Sequence, residues 1–109
     1  MQQEVNIQKA MDYMRDNAPR YAEAKASRVY LDQFRKSKKA MLIMQTTGTV
    51  QERESFAYSH PEYIEVLEGL KAAIEIEEEI RWRMEAAKIK AEVWRTQQAN
   101  NRRIDGAHQ

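Results

Sequence analysis

The chain has 109 residues, with 18 lysines and arginines against 17 aspartates and glutamates, three glycines, two prolines and no cysteine. A net charge of +1 excludes a generally basic nucleic-acid coat and equally an acidic DNA mimic. The missing thiols exclude disulfides, thiol nucleophiles and thiolate metal sites, and no apolar run approaches the roughly 18 residues of a membrane span.

Such a length suits a single helical domain over 1–109 with a limited core of its own. The amino-terminal MQQEVNIQKAMDYM lacks an apolar secretory segment. It predicts a short first helix within 1–17, with Val5, Ile7, Met11 and Met14 partly on one side. In DNAPRY, Pro19 suits the first turn of a new helix, with Asp16 or Asn17 as its cap. A continuous helix kinked at Pro19 is the alternative. Residues 18–45 are rich in strong helix formers, and TTG at 46–48 ends them. The connection 46–59 carries a short helix opened by the capping-box pattern TVQE, Thr49 to Glu52. SHPE repeats that pattern, with Ser59 as cap, Glu62 reaching back and Pro61 in the first turn. A long helix follows over 60–102, and RIDGAHQ, 103–109, reads as a flexible tail.

The long helix carries a stripe at alternating steps of four and three: Val66, Leu70, Ala73, Glu77, Ile80, Met84, Ala87, Ala91 and Trp94. That spacing keeps one face against another helix, as in a coiled coil. The earlier helix offers Ala24, Ser27, Leu31, Phe34, Lys38 and Met41. Each stripe is broken by one charge, Glu77 and Lys38. Facing those two charges sets an antiparallel register with Leu31 near Met84 and Met41 near Ile74. The expected fold is all-α, an antiparallel long-helix hairpin or a small helical bundle, self-associating as a homo-oligomer.

Two basic regions stand out. RKSKKA, 35–40, would lie beside the acidic start of the long helix, where seven glutamates and one lysine fall between Glu62 and Glu79. Its charges are expected to cancel internally. The second region has weaker local cancellation: Arg81, Arg83, Lys88, Lys90 and Arg95, set alongside Arg20, Lys25 and Arg28 of the earlier helix. Those eight are the candidate nucleic-acid contacts, a patch that meets phosphates without sequence selectivity. Tyr13, Tyr21, Tyr30, Trp82 and Trp94 are candidate stacking surfaces, although in a small helical protein aromatics more often anchor cores.

No catalytic constellation assembles. His60 and His108 are the only histidines, and no HExxH or Cys/His cluster marks a zinc site. Glu75, Glu78 and Glu79 supply carboxylates for a metal only without the ExxH elements of carboxylate bundles. Ser55, Ser59 and His60 lack an orienting acid. The expectation is a protein that is not an enzyme, with no cofactor and no metal.

The stretches RDNAPRYAEAKASRVYLDQFRKSKKA and HPEYIEVLEGLKAAIEIEEEIRWRMEAA, with EVWR at 92–95, resemble a group of small tailed-phage and prophage proteins. Together they span residues 15–95. The resemblance implies a place among early recombination or replication genes, and it carries over no catalytic residue. It gives the leading expectation: a cytoplasmic accessory protein of the bacterial host cell, acting by contact with a phage recombinase or with single-stranded DNA, and not with membrane. An inhibitor or adaptor that binds a host nuclease or defence protein is one alternative. A structural assembly or packaging component is the other.

Overall fold

The computed structural model describes residues 5–107, and they form three α-helices. These are α1 (Ile7–Met44), α2 (Val50–Ser59) and α3 (Pro61–Ala107). The fold is all-α, and no helix among the described residues is long and apolar enough to cross a membrane.

α1 corrects the expected break after residue 17, because it runs unbroken through Pro19. A proline inside a helix removes one backbone bond and crowds the carbonyl four residues back, costing roughly 3 kcal/mol. Here Pro19 and Arg15, which carries the freed carbonyl, are both exposed, so that carbonyl can face water. Asn17 is not a cap. Its side-chain amide donates to the Tyr13 carbonyl at 2.9 Å, inside the helix.

The end of α1 tightens into three-residue bonds, Gln45 N–H to Leu42 O at 3.0 Å and Thr46 N–H to Ile43 O at 3.4 Å. Gly48 then adopts φ +125, a left-handed conformation that a side chain opposes. Thr49 caps α2 as the TVQE pattern implies, its hydroxyl accepting from Glu52 N–H at 3.1 Å. The second cap differs from the expected one. Ser59 turns its hydroxyl back to the Ser55 carbonyl at 2.7 Å and stays within α2. His60 alone separates α2 from α3, and its ring Nδ1 accepts the Glu62 N–H at 3.1 Å. Pro61 is the first residue of α3, where a missing N–H costs nothing. At the far end α3 continues to Ala107, so most of the expected tail is helical. His108 and Gln109 lie outside the described residues.

Internal contacts divide the chain into two compact units. One is Ala22–Glu78; the other joins α1 up to Tyr21 with α3 from Glu79 onward.

In Ala22–Glu78, the buried cluster is Leu42, Ala57 and Tyr63, one residue from each helix, with Ile43 packed against it. Leu42 is fully buried, whereas Met41, the expected seam residue, is 43% exposed. The α1 stripe therefore runs one residue later at two of its positions, through Arg28 and Leu42 instead of Ser27 and Met41. Ala24 is buried, and Leu31, Phe34 and Lys38 are half-buried.

The pairing register also differs from the expected one. Fourteen residues back from Leu42 is Arg28, and fourteen on from Tyr63 is Glu77. That is about 21 Å along each helix at 1.5 Å per residue. Arg28 Nε donates to Glu77 Oε2, and Lys38 pairs instead with Glu62 at 3.0 Å. α1 and α3 thus run antiparallel within this unit, but Glu77 meets a residue ten positions before Lys38. Leu31 lies against Gly69, where an added Cβ would sit 3.8 Å from its Cδ1, instead of near Met84. The physical cause is the short α2. With a single residue between α2 and α3, Tyr63 is brought level with Leu42, and the rest of the register follows from that anchor.

Candidate nucleic-acid interface

The α3 stripe is the frame on which the charged side chains are arranged. Ala73, Glu77, Ile80 and Ala87 are buried, while Val66, Leu70, Met84, Ala91 and Trp94 are half-buried. Positions just beside such a stripe border the partner helix and decide what else can approach it. On one border these are Leu67, Ile74, Arg81, Lys88 and Arg95; on the other, Gly69, Ile76, Arg83 and Lys90. Both borders change from uncharged to cationic at the boundary between the two units.

The block at 35–39 lies in the first of these units and is largely engaged internally. Arg35 Nε donates to Asp32 at 2.9 Å, and Asp32, with the Tyr63 hydroxyl, raises the guanidinium pKa further. Lys38 meets Glu62 at 3.0 Å and draws the Glu62 carboxyl below its ordinary range. Lys39 donates to the Tyr58 hydroxyl at 2.6 Å, sits 4.3 Å from the Tyr58 ring centre and lies 4.0 Å from Glu54. The Tyr58 hydrogen bond is the main cause that raises the Lys39 pKa. Ala22–Glu78 holds ten acidic and eight basic residues, a balance of −2.

The other unit holds ten basic and seven acidic residues, a balance of +3. It contains a partly open groove of about 590 Å³, lined by Val5, Asn6, Lys9, Ala10, Tyr13, Arg83, Ala86, Ala87 and Lys90. Small side chains make this groove. Ala10 and Ala87 are buried, and Ala86 adds no bulk beside them. Three cations stand around it, Lys9, Arg83 and Lys90, with the Tyr13 ring among them. Arg83 also meets Glu79 at 2.8 Å across one helical turn, a pair exposed on both sides and therefore weak. The α1 positions that border the stripe in this unit are Asn6, Tyr13 and Arg20 on one side and Met11 and Ala18 on the other. Among the described residues, α1 supplies no carboxylate at those positions.

The eight candidate contacts therefore separate. Arg83 and Lys90 come together at the groove. Arg81, Lys88 and Arg95 fall on the opposite border of α3, with Arg81 stacked over the exposed Trp82 at 4.8 Å. Arg20 donates to the Asn17 side chain at 3.2 Å. Lys25 is exposed and belongs to the other unit. Arg28 is a correction, because its guanidinium is committed to the buried Glu77 and is not a surface contact. Of the aromatics, Tyr13 lines the groove, Tyr21 and Trp94 are half-buried, and Tyr30 stacks on Phe34 at 5.8 Å.

Lys9 and Tyr13 were the missed members. They lie four residues apart on α1 and hence on one helical face, but the displaced register hid what they oppose. Among the described residues no group of three or more His, Cys, Asp or Glu side chains is arranged to hold a metal ion. No protein-family model, curated protein or solved structure matches the chain.

Proposed function

We propose that the chain is a non-enzymatic accessory protein that contacts single-stranded DNA through the groove at Lys9, Tyr13, Arg83 and Lys90. Its place is in phage or prophage recombination or replication, in the bacterial cytoplasm. The observation that carries this reading is the shared groove itself: three cations and one aromatic ring around about 590 Å³ of space floored by alanines. Cations along a groove track a phosphate backbone, and an aromatic face stacks on any base, which together bind single strands without sequence preference. The internal engagement of the 35–39 block supports the same assignment, because it leaves that block little charge for phosphate. The phage setting rests on the resemblance of residues 15–95.

The test is fluorescence anisotropy with a labelled single-stranded oligonucleotide. Three phosphate contacts on a single strand give a salt slope of about −2, or roughly 40-fold weaker binding at 300 mM than at 50 mM salt. Neutralising the three cations together (K9Q/R83Q/K90Q) is expected to abolish the low-salt complex while the helical circular dichroism is unchanged. A wild-type protein that binds no single strand at 50 mM salt overturns the proposal.

A further inference from the structure

Beyond Glu79, α3 carries an exposed apolar line on the side away from its buried stripe, and we infer that this line is the contact surface of an antiparallel homodimer. The whole surface lies within one unit, between Trp82 and Ile104. Trp82, Ile89 and Val93 each stand two residues after a stripe position, Ile80, Ala87 and Ala91, and so about 200° around the helix from it. They are 62%, 57% and 42% exposed, and Ile104 is 56% exposed. Trp82, Val93 and Ile104 recur at steps of eleven residues. Eleven residues fill three helical turns at about 3.67 per turn, so the line runs nearly along the helix axis. Its length is about 33 Å.

The occupant is a second copy, because the line is self-complementary in both spacing and charge. Val93 stands midway between Trp82 and Ile104. When two α3 helices pair antiparallel with Val93 on the two-fold axis, Trp82 of each copy falls opposite Ile104 of the other. Val93 then meets Val93, and Ile89 falls opposite Gln97. Large apolar side chains now left in water supply the driving burial. The same symmetry sets each flank of α3 against its own counterpart. On one flank Glu85 comes within about 3 Å, measured along the axis, of the level of Arg103 in the other copy. Two such opposite-charge pairs form, and flanking pairs of this kind fix partner and orientation between helices. On the other flank Arg83 and Lys90 stand near Asn101 and Gln97, so no like charge meets the groove cations. The two Glu92 side chains beside the axis are a local repulsion, outnumbered by the Glu85–Arg103 pairs. Such an isologous contact uses one patch on both subunits and closes at two.

The dimer is tested by light scattering coupled to size exclusion at up to about 100 µM, without DNA. The expected mass is twice the chain's 12.9 kDa. W82E/I89E changes two exposed residues and is expected to give a monomer with unchanged helical circular dichroism. R103E sets like charges together at both flanking pairs and is expected to weaken dimerisation about fivefold. E85R/R103E exchanges the two charges within one chain and is expected to restore it, whereas E92Q is expected to tighten it. Because the chain has no cysteine, V93C places a single thiol at the axis, and a short bis-maleimide is expected to join two copies there. A monomeric wild-type protein overturns the inference. So does a dimer that survives W82E/I89E or is not joined through residue 93.

Discussion

The two units of this protein differ in how they answer positive charge across the helix pair. In Ala22–Glu78, Arg28, Arg35, Lys38 and Lys39 each have a defined partner across or along the helices. In the other unit, α3 carries Arg81, Arg83, Lys88, Lys90 and Arg95 along the borders of its buried stripe, and α1 answers with asparagine, methionine, tyrosine, alanine and a further cation, Arg20, but no carboxylate. Both arrangements use the same 4–3 helical spacing. The difference lies in what the facing helix offers. A basic block is thus no guide to a phosphate site until its partners across the helix pair are known.

The comparison breaks most sharply at Glu77. Removing one member of a buried ion pair leaves the other charge uncompensated, typically at 3–5 kcal/mol, and the partial exposure of Arg28 reduces that. E77A is expected to lower stability by about 3 kcal/mol in urea denaturation, and R28M/E77L to regain most of it. If E77A is neutral, the pair does not fix the register. Leu42, which sets that register, is expected to cost about 3 kcal/mol as L42A in the same assay. P19A acts in the other unit and in the opposite direction. Restoring the missing N–H to an exposed helix interior is expected to raise stability by roughly 2 kcal/mol.

Smaller effects sharpen the contrast. H60A deletes the ring that caps α3 and is expected to cost about 1 kcal/mol. The Lys38–Glu62 pair gives a pH signature with a defined sign. Because Lys38 lowers the Glu62 pKa in the folded chain, its contribution is present above the ordinary carboxylate range. It is lost as pH falls through the depressed folded value. The fall in thermal midpoint on acidification from pH 7 to 3 is therefore expected to be slightly smaller in K38M than in wild type. Glu62 is exposed to solvent, so the difference is small.

Much of this fold was legible because helix propensity and hydrophobic spacing are local properties. The all-helical content, the TTG stop, the Thr49 cap and the α3 stripe all follow from residues within a few turns of one another. The register did not, because it depends on Leu42, Ala57 and Tyr63 meeting from three helices. Met41 fits the 4–3 spacing as well as Leu42 does, and a stripe drawn through it lies one residue from Arg28, the partner of Glu77. The same one-residue offset hid Lys9 and Tyr13 opposite Arg83 and Lys90. Continuity through Pro19 was also not local: only the exposure of its helix face makes the unpaired carbonyl tolerable.

The most direct test of the charge contrast is the salt slope of single-strand binding in two neutralised variants. K38Q/K39Q alters the internal block; R83Q/K90Q alters the groove. The block variant is expected to keep the wild-type slope and the groove variant to lose about 1.4, two contacts at roughly 0.7 each. A slope that falls in the block variant and holds in the groove variant would contradict the charge contrast.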